Sequence, residues 1–392
     1  MLSFFAPCPR GLEALLSAEL ASLGALEARV VPGGVLFGGG WGACYRANLW
    51  SRLASRILWK LEEFDYKSEQ DIYDAAHRID WPRLFDVRCT LKVAVVGQKS
   101  PLKSLGFITL KIKDAICDRF REASGLRPNV ERAEPDVRVH AFLGATRAML
   151  YLDTSGEPLF KRGWRVEELA APLRENLAAG ILILAGWTAE QPLLDPMCGG
   201  GTFLVEAAAM ARKRAPGLKR LFGFEKLRDY DKTLWSRLLK EAAQPLAASA
   251  PLEIFGSDAD ARALSATRRN LAAAGVERWV KLERIDVLER QAPAASGVLI
   301  ANPPYGERMG SEEELAKMYP LLGDTLKKNF SGWNCFLFTG DLRLPKLIRL
   351  EPSRRIPLFN GAIECRLYQF EIVAGSHRRA RGGRGEETLS TK

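Results

Sequence analysis

At 392 residues the chain is too long for one ordinary domain and predicts two or three. Its composition, 47% hydrophobic and 27% charged, excludes a disordered or fibrous protein, and no apolar run reaches the ~18 residues of a membrane span. Lys and Arg outnumber Asp and Glu by 57 to 47, a net charge of +10 that favours a polyanionic partner such as nucleic acid.

Cys8, Cys44, Cys89, Cys117, Cys198, Cys335 and Cys365 are scattered and form no Cys-x-x-Cys pair, so they read as small apolar residues of a reducing compartment. His77, His140 and His377 lie far apart, which predicts no metal site. The first residues lack a basic stretch and reach Glu13 and Glu19 early, so no secretory signal is read and a cytoplasmic location is expected.

Leu12, Leu15, Leu16, Leu20 and Leu23 recur at helical spacing up to Gly24. Strands are predicted over 28–31 and 35–37, and a helix over 43–58 from Tyr45, Leu49, Leu53 and Ile57. Gly38-Gly39-Gly40-Trp41-Gly42 lacks the Lys-Ser/Thr of a phosphate loop and reads as a turn. Leu91, Val93 and Val95 alternate as a strand, a helix runs through Ile108, Ile112, Ile116 and Phe120 to Gly125, and a hairpin spans 137–152. Residues 99–132 hold eight cations against four acids, either a solvated helix face or a polyanion contact. His140, on a strand, reads as a surface or packing residue.

Residues 156–173 form a basic connection with Lys161, Arg162 and Arg165, and mark the main boundary. Beyond it strands and helices alternate, which predicts a doubly wound, mostly parallel sheet. Helices are expected at 174–185, 202–212 and 260–274, with strands at 192–195, 252–257, 279–285, 297–301, 334–339 and 363–373. Residues 213–250, with Trp235, exceed a normal connection and predict a helical insertion.

Two motifs carry chemistry. In Asn302-Pro303-Pro304-Tyr305-Gly306-Glu307-Arg308, which follows an apolar strand, the two prolines force the backbone out of the sheet. That leaves an amide, proline carbonyls and a ring at a strand's C-terminal end, where open α/β sheets bind ligands. The Asn302 oxygen and a proline carbonyl suit the two N–H groups of an exocyclic amine, with Tyr305 stacked on its ring. In the second motif, Asp195-Pro196-Met197-Cys198-Gly199-Gly200-Gly201-Thr202, glycines permit close backbone approach and Thr202 opens a helix. An acidic corner disfavours a pyrophosphate and suits a sulfonium amino acid with a free ammonium. Asp258 ends the next strand, where a carboxylate can take ribose hydroxyls, and Asp286 the one after, where it can accept from an adenine amine. Cys198 reads as a space-filler, not a nucleophile.

These two motifs together resemble the S-adenosylmethionine-dependent RNA guanine-N2 methyltransferases. Arg127-Pro128-Asn129-Val130 with Pro135-Asp136-Val137-Arg138-Val139 is similar to their THUMP RNA-binding domain, and Arg162-Gly163-Trp164-Arg165 to the segment before their catalytic domain. Gly200 departs from the serine common there.

The resemblance covers nearly the whole chain and is strongest to the 23S ribosomal RNA enzymes. It implies a ferredoxin-like α+β domain over 1–60, a THUMP domain over 61–155, a linker over 156–173, a Rossmann-like methyltransferase domain over 174–375 and a disordered basic tail over 376–392. It implies S-adenosyl-L-methionine held by Asp195, Pro196, Cys198, Gly199, Gly201, Thr202, Asp258, Asp286 and Asn302. Catalysis falls to Asn302, Pro303, Pro304 and Tyr305, and RNA contact to Lys103, Lys111, Lys113 and Arg127. The expected partner is structured RNA, 23S rRNA or an assembling large subunit, with tRNA guanine-N2 or adenine-N6 methylation as alternatives. No metal and no membrane are expected.

Overall fold

The computed structural model describes residues 1–167, 173–244, 251–304 and 312–373. Strand β1 (Leu2–Pro7) buries Phe4 and Ala6 on one face, the alternation of a strand laid on a core. Helix α1 (Glu13–Ser22) sets Leu16 and Leu20 into that core, and β2 (Leu26–Val31) pairs antiparallel with β3 (Gly34–Gly39). Helix α2 (Trp41–Trp50) ends before the 58 expected for it. The Glu19 carboxylate there accepts from the Ser51 hydroxyl at 2.6 Å and the Arg52 N–H at 2.8 Å, which turns the chain aside. Leu53 and Ile57 are buried in the connection, so their helical spacing reflected burial and not a helix.

Next come β4 (Leu58–Asp65), α3 (Glu69–Arg78) with its Ser68–Asp71 capping box, the short α4 (Trp81–Leu84) and β5 (Leu91–Gly97). Helix α5 (Leu105–Ser124) stops at Gly125, which has a left-handed backbone, and the hairpin β6 (Val137–Leu143) and β7 (Arg147–Asp153) follows. Strand β4 joins the two predicted N-terminal units: it pairs with β1 on one side and, from Leu58 to Asp65, with β7 on the other. They share one seven-stranded sheet of order β2-β3-β1-β4-β7-β6-β5.

The second sheet is built from α6 (Glu175–Leu184), β8 (Leu193–Asp195), α7 (Thr202–Ala211), α8 (Lys232–Ala242), β9 (Ile254–Asp258) and α9 (Ala261–Ala274). It continues through β10 (Val280–Arg284), β11 (Gly297–Ala301), α10 (Glu312–Asn329), β12 (Trp333–Thr339), α11 (Leu344–Leu347), β13 (Arg354–Asn360) and β14 (Ile363–Glu371). Its order is β10-β9-β8-β11-β12-β14-β13; the first five strands are parallel, and β14 and β13 add on antiparallel. The direction of winding reverses between β8 and β11. In such sheets the crevice for a ligand opens at that switch point, beyond the strands' C-terminal ends.

The two halves dock closely. Leu12 packs so tightly on Gly180 of α6 that an added Cβ would sit 2.4 Å from its methyl. The insertion that carries α8 also bridges them: Tyr45 of α2 lies 4.4 Å from Phe224 and 5.8 Å from Trp235 of α8, centroid to centroid. Buried charge joins them as well. Glu206 of α7 pairs with Arg52 of the first half at 3.5 Å and with Arg162 of the connection at 3.3 Å. Replacing Glu206 by Ala leaves two guanidiniums buried and unpaired, and is expected to cost on the order of 3–5 kcal/mol. Urea denaturation checks this, and a loss below about 1 kcal/mol would show that the cluster is not holding the halves together.

Candidate active site

Strand register sets the depth of each polar group. Asp195 pairs with Gly256 and lies one residue beyond the Leu194–Leu299 pair, so Asp258 and Asn302 each stand two residues further out on the flanking strands. Asp258 in turn pairs with Arg284, which places Asp286 two residues further again. The result is a staircase across four neighbouring strands: Asp195 buried, Asp258 and Asn302 half-buried, Asp286 exposed. At the usual spacing of about 4.8 Å between strands the steps cover roughly 15 Å, enough for an extended nucleoside and a short side arm. A cleft of about 560 Å³ follows them, lined by Asp195, Pro196, Cys198, Gly199, Thr202, Asp258, Asp286, Asn302 and Pro304 among others.

The glycine loop is pinned from outside. Asp258 accepts the Gly199 N–H at 2.9 Å, Thr267 of α9 donates to the Gly199 carbonyl at 2.6 Å, and Asn270 donates to the Gly200 carbonyl at 3.0 Å. Gly201 is left-handed, with φ at 79°, and a Cβ there would lie 2.8 Å from Thr267. Only glycine suits that position. At Gly200 a Cβ would meet Asn270 at an ordinary 3.6 Å, so the serine common in similar chains would fit.

Two acceptors in the cleft lack adequate partners. Asp195 accepts the Met197 N–H at 3.3 Å, and burial, opposed by that bond but reinforced by the Asp258 charge, pushes its carboxyl well above the usual range. The Asn302 Oδ1 is buried and without a hydrogen-bond partner among the described residues. The cleft can therefore take a cation at Asp195 and an N–H at Asn302.

Eight of the nine residues expected to hold a cofactor line this cleft; Gly201 supports it from behind. Pro304 lines it and Pro303 is buried, while Tyr305 to Arg308 fall outside the described residues, as do 376–392. The proline carbonyls are not both free, since the buried Tyr319 donates to that of Pro304 at 3.2 Å. Burial pushes the Cys198 thiol far up, as a space-filler requires. Sequence reasoning missed Arg165, which enters the cleft from the connection, donates to Thr202 at 3.1 Å and is held by Glu175 at 3.1 Å.

Of the basic run, Arg119, Arg121 and Lys113 are paired with acids, as a solvated helix face would have them. Lys103 and Arg127 are exposed without ion pairs among the described residues, and Lys111 lies over the rings of Tyr73 and Phe107.

Residues 162–369 match the RMKL-like methyltransferase domain. The chain belongs to that family. Residues 3–58 match the ferredoxin-like domain described for RlmL, and residues 66–153 the THUMP domain. The ribosomal RNA large subunit methyltransferase K/L of Cellvibrio japonicus is 42% identical over an aligned length of 382, covering 94% of this chain and 51% of that protein. The chain thus spans about half the length of the curated relatives it matches. Among solved structures, the putative methyltransferase SMU.472 complexed with SAH is similar at a TM-score of 0.86 and 32% identity, covering 95% of this chain and 98% of that one. A Listeria monocytogenes protein described as a predicted N6-adenine-specific DNA methylase is similar at 0.83 and 28%, covering 95% and 96%. Among the described residues no His, Cys, Asp and Glu cluster could hold a metal, and no helix is long and apolar enough to cross a membrane.

In this methyltransferase domain the native Asp195 carboxyl binds its proton more tightly than the same group in the unfolded chain, whose pKa is about 3.9. Native stability therefore falls as pH rises from about 4 through the raised native value. Asp195→Asn is expected to raise the ligand-free melting temperature at pH 7.5 by roughly 2–4 °C and to flatten its decline with pH. Differential scanning calorimetry between pH 5 and 8 checks both, and an unchanged or lower melting temperature contradicts the assignment.

Proposed function

We propose that the chain transfers a methyl group from S-adenosyl-L-methionine to the exocyclic N2 of a guanine in 23S ribosomal RNA. The observation that carries this reading is the unpartnered Asn302 Oδ1, beside a buried carboxylate in need of a cation. S-adenosylmethionine, when bound, supplies an electrophilic methyl on sulfonium. Asp195 would hold its ammonium and Arg165 its carboxylate, with Asp258 at the ribose and Asp286 at the adenine amine. The fit is one of donor set: Asp195, buried with one long N–H bond, would suit the ammonium, and Arg165, held by Glu175, would suit the carboxylate.

The amine of guanine is a poor nucleophile because its lone pair is delocalised into the ring. Asn302 Oδ1 and the Pro303 carbonyl would each accept one of its N–H groups, fixing the nitrogen as it pyramidalises and favouring the charge that grows there. The Tyr319 bond to the Pro304 carbonyl holds that turn in place. Tyr305 would stack on the base, which has to leave its helix to reach the cleft. None of the described residues in the cleft serves as a general base in this scheme, and the proton passes to water after transfer.

The match of residues 66–153 to the THUMP domain supports RNA as the substrate, with Lys103, Lys111, Lys113 and Arg127 as contacts. The name carried by the Cellvibrio relative supports large-subunit rRNA over tRNA, and a cytoplasmic site of action accords with it. Adenine N6 is the alternative that the same chemistry would serve, because adenine offers Asn302 the same kind of amine.

Asn302→Ala is expected to lower turnover at least about 100-fold, the scale of losing one preorganised acceptor in a dry site. Affinity for S-adenosylhomocysteine, measured by calorimetry, should stay within about threefold. Labelled S-adenosylmethionine offered with unmodified 23S rRNA and with tRNA, followed by nucleoside analysis, checks the substrate. Label appearing as N6-methyladenosine, or only in tRNA, overturns it.

A further inference from the structure

A second cavity, of about 400 Å³, shares a wall with the cleft: Arg165 and Leu173 line both. Phe160, Lys161, Arg162, Arg174 and Glu175 complete most of its lining, four cations with Arg165 against one carboxylate. Two of the cations have other roles: Arg162 pairs with Glu206, and Arg165, oriented by Glu175, turns to the cleft and its proposed cofactor carboxylate. The other two stand at the surface. Lys161 reaches only Glu157, at 2.9 Å and with both side chains about half exposed or more, a pair of little strength. Arg174 lies 5.0 Å over the Phe160 ring and has no carboxylate partner among the described residues. It also precedes the first turn of α6, whose end carries no side-chain cap and adds partial positive charge.

The cavity thus offers two uncommitted cations, a helix end and an aromatic wall next to the reaction cleft. That combination suits a phosphodiester with its nucleoside packed on the ring. S-adenosylmethionine has no phosphate to place there. We infer that the cavity holds a backbone phosphate of the RNA strand beside the extruded base, so that the connection between the halves is itself a substrate-binding element. This rests on RNA being the substrate.

The test is a Lys161→Glu/Arg174→Glu variant, compared with the single Arg174→Ala and with a Lys327→Glu/Lys328→Glu control at the far end of α10. Each is titrated with unmodified 23S rRNA over a range of salt, and S-adenosylhomocysteine affinity is measured in parallel. The double variant should lose at least about tenfold in RNA affinity, and its log-log salt slope should become shallower by about 1–2. KM for RNA should rise with kcat nearly unchanged, and cofactor affinity should hold. If the double variant also loses cofactor affinity, the exposed Arg174→Ala decides by the same RNA and salt readouts. Wild-type affinity and slope in the site variants, or an equal loss in the control, overturns the inference. A wild-type protein that methylates no RNA overturns the earlier reading instead.

Discussion

Asp195 is 2% exposed, and the bond it accepts from Met197, at 3.3 Å, is long for a carboxylate. A carboxylate in that setting is costly until a cation joins it. The surrounding loop cannot fold over to satisfy it, because each glycine is tied elsewhere: Gly199 to Asp258 and Thr267, Gly200 to Asn270. Asp258 is part of this arrangement as well as the group proposed for the ribose. Its Oδ2 holds the loop and its Oδ1 accepts the Asp260 N–H at 3.0 Å, so the carboxylate fixes both walls of the cleft. The unfavourable electrostatics of a buried carboxylate without a cation are thereby kept for a ligand to relieve, which is what preorganisation means in energetic terms.

The same loop is fastened to the other half of the molecule through α7. Thr202, in its first turn, accepts from Arg165, and Glu206, one turn later, pairs with Arg162 and Arg52. Asn270 extends the seam by accepting from the Val166 N–H at 3.0 Å while it holds Gly200. Glycine loop, connection and first sheet therefore meet along one helix, with a hydrophobic core continuous from Phe4 to Val298 behind it. A substrate held by the first half is presented to the cleft by rigid packing and not across a loose linker.

Much of this was legible in the chain, and the reason differs by element. Strands β8, β9, β11 and β12 are short, largely buried runs, and helices α6, α7 and α9 carry clear starts or stops such as Gly275, so periodicity placed them within about two residues, whereas α10 and β13 were not foreseen. Strands β1 and β4 escaped because Leu2–Pro7 opens the chain without a preceding turn and Leu58–Asp65 mixes Lys60, Glu62 and Glu63 into a half-exposed surface. With β4 unseen, the joining of two units into one sheet was out of reach. In the site, the strand-end acids and Asn302 were visible because a parallel strand's last residue has one place to go. Arg165, Asn270 and Tyr319 were not. Their roles depend on long-range packing, and nothing in a lone arginine within a basic connection marks which side chain turns inward.

The unpartnered Asn302 Oδ1 also limits what this cleft can discriminate. An acceptor facing a carbonyl leaves two buried lone pairs opposed, at a cost of about 1–3 kcal/mol, so in the proposed reaction Asn302 with a proline carbonyl would select an amine over an oxo group. It selects much less between two amines. Guanine N2 and adenine N6 are each planar, each carry two N–H groups and each sit on a ring that can stack. Choice between them has to come from elsewhere, from the other edge of the base or from which nucleotide the RNA's own fold can deliver. In the proposed reaction the burden of specificity would then fall on the surfaces proposed to hold the strand, the first sheet and the basic cavity beside Arg165, and the reaction cleft would recognise little more than an amine in a plane.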